Sequence, residues 1–259
     1  ASGAAFADAE EARRSLDRAL EINPSSLEAL ALHAGLSYVD DDVQAFEKYA
    51  QQALSTAPRY GEVYRVAAEQ TARAYRFPEA VTLARRGLEL DTENARALSD
   101  LGVHLLRTGD EPGARQVLER SFEIDPFDTV TFNLLQMMDQ LDKFITVESG
   151  PVVLRMHPDE APVLQERAVA LANEALATIG KRYGWEVEGP ILIEVFPRHD
   201  DFAVRNFGLP GMIGALGACF GKVVTMDSPR ARPPGEFLWE ATLWHEIAHV
   251  VTLTLSNQR

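Results

Sequence analysis

Glu21-Ile22-Asn23-Pro24 returns as Ser55-Thr56-Ala57-Pro58, as Glu89-Leu90-Asp91-Thr92 and as Glu123-Ile124-Asp125-Pro126, each copy 34 residues after the last. Each copy closes a run with helical periodicity, and its last residue breaks the chain before the next helix. Other landmarks keep the same step. Ala12, Phe46, Ala80 and Ala114 form one series, and Ala19, Ala53, Gly87 and Ser121 a second restricted to small side chains. Leu30, Tyr64, Leu98 and Phe132 supply a large apolar residue, with Ala34, Ala68 and Gly102 four positions later. Small residues let the two helices of a pair approach closely, and large ones fill the space between pairs. Gln136 breaks the small series, so the array is expected to end there.

This pattern resembles the tetratricopeptide (TPR) repeat over residues 6 to 140, as half a repeat, three full ones and a final helix. The resemblance implies an α-solenoid that binds a protein or peptide on the concave face made by the first helix of each pair. Glu28, Glu62, Arg65, Glu69, Arg73, Arg96, Ser99 and Arg107 fall on that face. They are mixed in sign and lack the Lys/Asn set that clamps a C-terminal carboxylate in chaperone-binding TPRs. A solvated face that contacts nothing specific is the competing reading. His33 and His104 have no acidic or cysteine partner at ligand spacing and read as structural.

From residue 141 the period changes. Phe144–Glu148 and Val152–Met156 flank Ser149-Gly150-Pro151 as a hairpin. Asp159 is placed to cap a helix to Tyr183, ended by Gly184, with Val163, Leu164, Leu171, Ala175, Ile179 and Tyr183 inward. Ile191–Phe196 reads as a central strand, Asp200 to Asn206 as a short helix, and Lys222–Met226 as a second strand. The glycine-rich stretch Gly208 to Gly221 is expected to be a mobile flap, and Cys219 within it a small core residue.

Past Pro233-Pro234, the segment Phe237–Val251 carries His245-Glu246-Ile247-Ala248-His249, an H-E-x-x-H pattern. Residues four apart on a helix share a face, so both imidazoles can meet one Zn2+ ion. Glu246 then lies one residue round, as a base for a zinc-bound water. Trp244, Ile247, Ala248, Val251 and Leu255 give the helix an apolar side. The β-branched run from Val250 to Leu255 favours a strand in isolation, but burial is expected to keep it helical.

The motif is similar to that of the zincin metallopeptidases. Thr252 and Leu255 replace the Gly and His of a metzincin, which leaves the gluzincins, whose third ligand is a Glu on a later helix. No position in this sequence can be given that role, with His199, Asp200 and Asp201 the first alternatives to test. In that family the strand before the zinc helix lies at the sheet edge and pairs with substrate, a role that would fall to Val223, Val224 and Thr225.

These readings give an α + (α+β) chain: a TPR-like helical domain over 1–140, then the upper part of a zincin-like domain over 141–259. The resemblances imply a zinc peptidase with His245 and His249 as metal ligands and Glu246 as catalytic base, recruiting substrate through the repeats. This chain would be an inactive fragment of it that lacks the third zinc ligand, both ends reading as cut. The alternative is a non-enzymatic TPR scaffold with a degenerate second domain. A net charge of −14 argues against nucleic acid and anionic membranes as partners, no apolar run spans a bilayer, and one cysteine excludes an internal disulfide.

Overall fold

The computed structural model describes residues 2–211 and 214–256, with side chains from Glu10 onward. Eight helices open the chain: α1 (Ser2–Ile22), α2 (Leu27–Val39), α3 (Val43–Thr56), α4 (Glu62–Arg73), α5 (Phe77–Leu90), α6 (Ala95–Thr108), α7 (Glu111–Ile124) and α8 (Thr129–Leu141). They form the TPR-like helical-repeat region. A small mixed sheet with helices follows. The chain divides into two compact units, residues 1–101 and 102–259, and the division falls inside α6.

In the first unit the 34-residue series is spent on packing. Leu30, Ala34, Phe46, Ala53, Tyr64, Ala68 and Ala80 are all buried. A Cβ on Gly87 would lie 2.8 Å from the Gly61 carbonyl oxygen, so only glycine permits that approach of α5 to the start of α4. A feature invisible to the hydrophobic pattern has the same step. Asp41, Tyr75 and Gly109 all take positive φ, at 62°, 63° and 83°, where one helix of a pair turns into the next. Only Gly109 adopts that conformation without steric cost. Asp42 and Asp110 then cap α3 and α7, accepting from the backbone N–H of Ala45 and Gly113.

The series fails at its last member. Phe132 is 43% exposed, and α8 buries Thr131, Leu134, Met137, Met138 and Leu141 instead. Within the second unit α8 packs on α7 and also on α10, which takes the place of a following repeat helix, so a different stripe faces inward.

The sheet comprises β1 (Ile145–Ser149), β2 (Val152–Met156), β3 (Ile191–Phe196), β4 (Gly217–Cys219) and β5 (Val223–Asp227), in the order β1-β2-β3-β5-β4. β2, β3 and β5 run parallel, with antiparallel strands at both edges. The crossovers are α9 (Ala161–Tyr183) and α10 (His199–Phe207). α9 and α11 (Trp239–Leu255) pack on one face, where Val152, Leu154, Ile191, Ile193, Val224, Leu171, Ala175, Leu243 and Ile247 form the core.

Two details of α9 differ from expectation. Asp159 does not cap it, since Glu160 holds the N-cap position, and Val163 and Tyr183 are exposed. The inward stripe is Ala161, Ala168, Leu171, Ala172, Ala175, Leu176 and Ile179, narrower and built largely of alanine because the helix lies close to the sheet. Gly184, at φ 64°, ends the helix as anticipated.

The other sheet face carries a polar row that crosses the strands in register. Arg155 on β2 sits beside Glu194 on β3, which sits beside Thr225 on β5. Glu194 and Arg205 of α10 are both 0% exposed and bond at 2.8 Å. Arg205 also donates to the Leu106 carbonyl at 2.9 Å, while Arg155 donates to the Leu141 carbonyl at 2.9 Å and pairs with Glu111. Burial pushes the Glu194 carboxyl upward and the Arg205 guanidinium opposes it. Breaking a buried pair from one side leaves an uncompensated charge. We expect Arg205→Met to cost about 3–5 kcal/mol in urea denaturation, with much of the loss recovered when Glu194→Met accompanies it.

Candidate functional site

α11 begins after Pro233-Pro234 and runs as one helix to Leu255. It is anchored by Leu243, Ile247, Val250 and Val251, all buried; Trp244 and Ala248 are only partly covered, and Leu255 is exposed. The β-branched run therefore stays helical because its valines complete the core on the α9 side.

His245 and His249 lie on the exposed side, with their Nε2 atoms 3.0 Å apart and ring planes at 86°. The two imidazoles converge as the motif spacing requires. Burial, and then the neighbouring His245, lower the pKa of His249. Glu246 turns the other way and is only 6% exposed. It lies under β4, where a Cβ on Gly217 would sit 2.6 Å from its Oε1 atom. Burial raises its carboxyl pKa from 4.5 to about 7.

The rest of the anticipated site is not gathered. Among the described residues no group of three or more His, Cys, Asp or Glu side chains is placed to hold a metal. A catalytic zinc takes three protein ligands and a water, so the two imidazoles alone do not fit that centre. His199, the first alternative ligand, is held by Asp227 at 2.9 Å and lies against Arg232. Asp200 accepts from the Gly211 N–H at 3.2 Å, and Asp201 pairs with Arg198.

Val223, Val224 and Thr225 do not form a sheet edge. β5 is paired on both sides, with Val224 opposite Ile193 and Cys219, and Thr225 opposite Glu194 and Ala218. The edge is β4, which arises inside the stretch expected to be a flap. Gly217-Ala218-Cys219 has no β-branched residue, and pairing of its backbone with β5 makes it a strand. Met212 and Ile213 of that stretch lie outside the described residues. Cys219 is buried, and burial pushes its thiol up to about 12, consistent with a core role.

The repeat helices of the first unit carry a second polar constellation. Arg65 on α4 is buried, with Nε 2.7 Å from Glu62 and Nη1 2.7 Å from Asp100. Glu69 lies 3.7 Å from Arg65 and accepts from Arg73 at 2.5 Å. Glu28, Arg73 and Arg96 stay exposed and Ser99 is buried. Asp100 is a member that sequence reasoning missed. It sits 35 residues after Arg65, one more than the repeat step, which is the signal that marks it as a neighbour across repeats. In the second unit Arg107 stacks over Phe220. His33 is buried and stacked on Tyr49 at 4.6 Å, and His104 is buried.

No family model matches the chain. A curated relative, Protein SGT1 homolog of Oryza sativa subsp. japonica, is 25% identical over 169 residues, covering 64% of this chain and 43% of the relative. The chain thus spans less than half the length of that protein. Among solved structures, the crystal structure of MamA is 18% identical with a TM-score of 0.38, covering 71% of this chain and 96% of that one. A mutant O-GlcNAc transferase of Thermobaculum terrenum is 18% identical with a TM-score of 0.34, covering 70% of this chain and 39% of the other.

The expectation of a zinc metallopeptidase is corrected on these findings. None of these proteins is named as a peptidase, and among the described residues no metal-holding group is brought together. H-E-x-x-H fixes only the spacing of two imidazoles along one helix; the further ligand must come from elsewhere in the fold.

Glu246 yields a test of how deeply α11 is buried. Unfolded, its carboxyl loses its proton near 4.5; folded, it keeps it to about 7. Between those values the folded state binds more protons, so stability falls as pH rises and then levels off. In metal-free buffer, Glu246→Gln is expected to remove that fall. The variant should exceed the parent by up to about 3 kcal/mol above pH 7, and the difference should close below pH 4.5, read from urea midpoints.

Proposed function

We propose that this chain is a protein-interaction scaffold whose repeat helices, within residues 1–140, present the binding face, with residues 141–259 as a second structural domain. The observation that carries the reading is the polar network on α4. Arg65 is withdrawn from water yet surrounded by Glu62, Glu69 and Asp100, while Arg73 and Arg96 remain accessible beside it. Such a network holds its side chains in fixed rotamers before a partner arrives, which lowers the entropy cost of binding. Helix faces of this kind take peptide or protein segments, and the exposed arginines select acidic or amide-rich ones.

Charge reversal at the accessible positions tests this without touching the core. In Arg73→Glu/Arg96→Glu, affinity for a partner recovered by cross-linking from the α4 and α6 faces should fall at least about tenfold, with the unfolding temperature unchanged. Retained affinity in the variant would overturn the helix-face reading.

The 3.0 Å separation of the two Nε2 atoms supports a further, non-catalytic reading of α11: a two-imidazole contact for Zn2+ completed by water. Zinc held this way is expected to be lost on dialysis at neutral pH, and His249→Ala to abolish the residual binding seen by calorimetry. Zinc retained at one per chain after dialysis would mean a third ligand exists in this sequence.

A further inference from the structure

The sheet has a second edge, opposite β4, and it is built for company. β1 pairs with β2 on one side only, and no strand flanks its other side among the described residues. The two-residue turn Gly150-Pro151, with Gly150 at φ 58°, makes Ser149 and Val152 the first hydrogen-bonded pair of the ladder. Val147 with Leu154 and Ile145 with Met156 follow, so Thr146 and Glu148 turn their N–H and C=O groups away from β2. Both residues are exposed. Natural edges are commonly blunted by proline, lysine or a bulge, and Ile145-Thr146-Val147-Glu148-Ser149 has none of these.

Beside this edge, α9 leaves a groove of about 560 Å³. Val147 lines it from the strand, and Val169, Ala170 and Glu166 from the helix. Its volume falls within the range of ligand-binding clefts. Asn173 ties the hairpin end to the helix, donating to the carbonyls of Ser149 and Val169, so the groove has a fixed far wall.

We propose that this edge docks an extended segment of a partner polypeptide, added as a sixth strand on β1, with aliphatic side chains at alternate positions seated on Val147, Val169 and Ala170. Only an extended backbone matches the spacing of the outward groups of Thr146 and Glu148. The floor is aliphatic and its rim carries Glu166, so a basic side chain at one end of the segment completes the match. A second copy of this chain is disfavoured as occupant, because each copy carries a charge of −14. The site does not depend on the helix-face reading, being on other elements.

The experiment titrates the synthetic peptide acetyl-Thr-Val-Thr-Val-Thr-Lys-Thr-amide, whose valines and lysine share one face, into 15N-labelled protein. Saturable shifts are expected at Thr146, Glu148, Val169 and Ala170, with slowed solvent exchange of the Thr146 and Glu148 amides. Thr146→Pro deletes one outward donor while sparing the β2 ladder, and Ala170→Glu places a carboxylate over the aliphatic floor. Each should weaken binding about five- to tenfold. If Thr146→Pro lowers the unfolding midpoint, Ala170→Glu, on an exposed helix position, decides alone. No saturable shift at millimolar peptide, shifts confined to α2 and α4, or unchanged affinity in Ala170→Glu would each overturn the proposal. Concentration-dependent dimerisation that Thr146→Pro abolishes would overturn it in favour of self-pairing.

Discussion

The ion pair between Arg205 and Glu194 is the constraint on which the second unit is organised. A glutamate in the middle strand of a sheet, wholly withdrawn from water, is among the costliest placements a fold can contain. It is tolerated because α10 delivers a guanidinium to it, and because Arg155 on the neighbouring strand lies in register beside it. Those arginines have donors left over. They direct them at the carbonyls of Leu106 and Leu141, at the C-terminal turns of α6 and α8. Helix C-termini hold carbonyls with no partner inside the helix, so the match is chemically apt. One buried polar cluster thus ties the sheet to the last repeat helices, and explains why residues 102–141 fold with the sheet.

That arrangement also accounts for where the repeat pattern loses its meaning. In the first unit a large residue every 34 positions is buried by the next helix pair. Beyond α8 the place of a following helix pair is taken by α10, held close where the Asn133 amide reaches the Gly208 carbonyl and where Val130 meets the Gly208 backbone. The buried stripe rotates accordingly, and Phe132 is left at the surface.

The histidine pair on α11 illustrates a different limit. Spacing along one helix brings His245 and His249 together with no help from the rest of the fold, because the geometry is local. Glu246 acquires its raised pKa from β4, a strand of three residues whose pairing no local pattern announces. A metal centre needs donors from separate elements, and among the described residues those donors are engaged elsewhere: His199 by Asp227, Asp201 by Arg198.

The sequence by itself determined the repeat step, the helix pairs it builds, the hairpin at 145–156, the central strand at 191–196 and the helix as far as His249. Each rests on periodicity, turn chemistry or capping within a few residues of chain. Only the tertiary structure decided that Gly217–Cys219 is a strand and Val223–Thr225 an interior one, that α9 buries its alanines rather than Val163 and Tyr183, and that Asp100 completes the Arg65 network. Edge position, buried charge pairing and the choice of inward stripe depend on which distant segment arrives alongside, and a single chain read in order carries no measure of that.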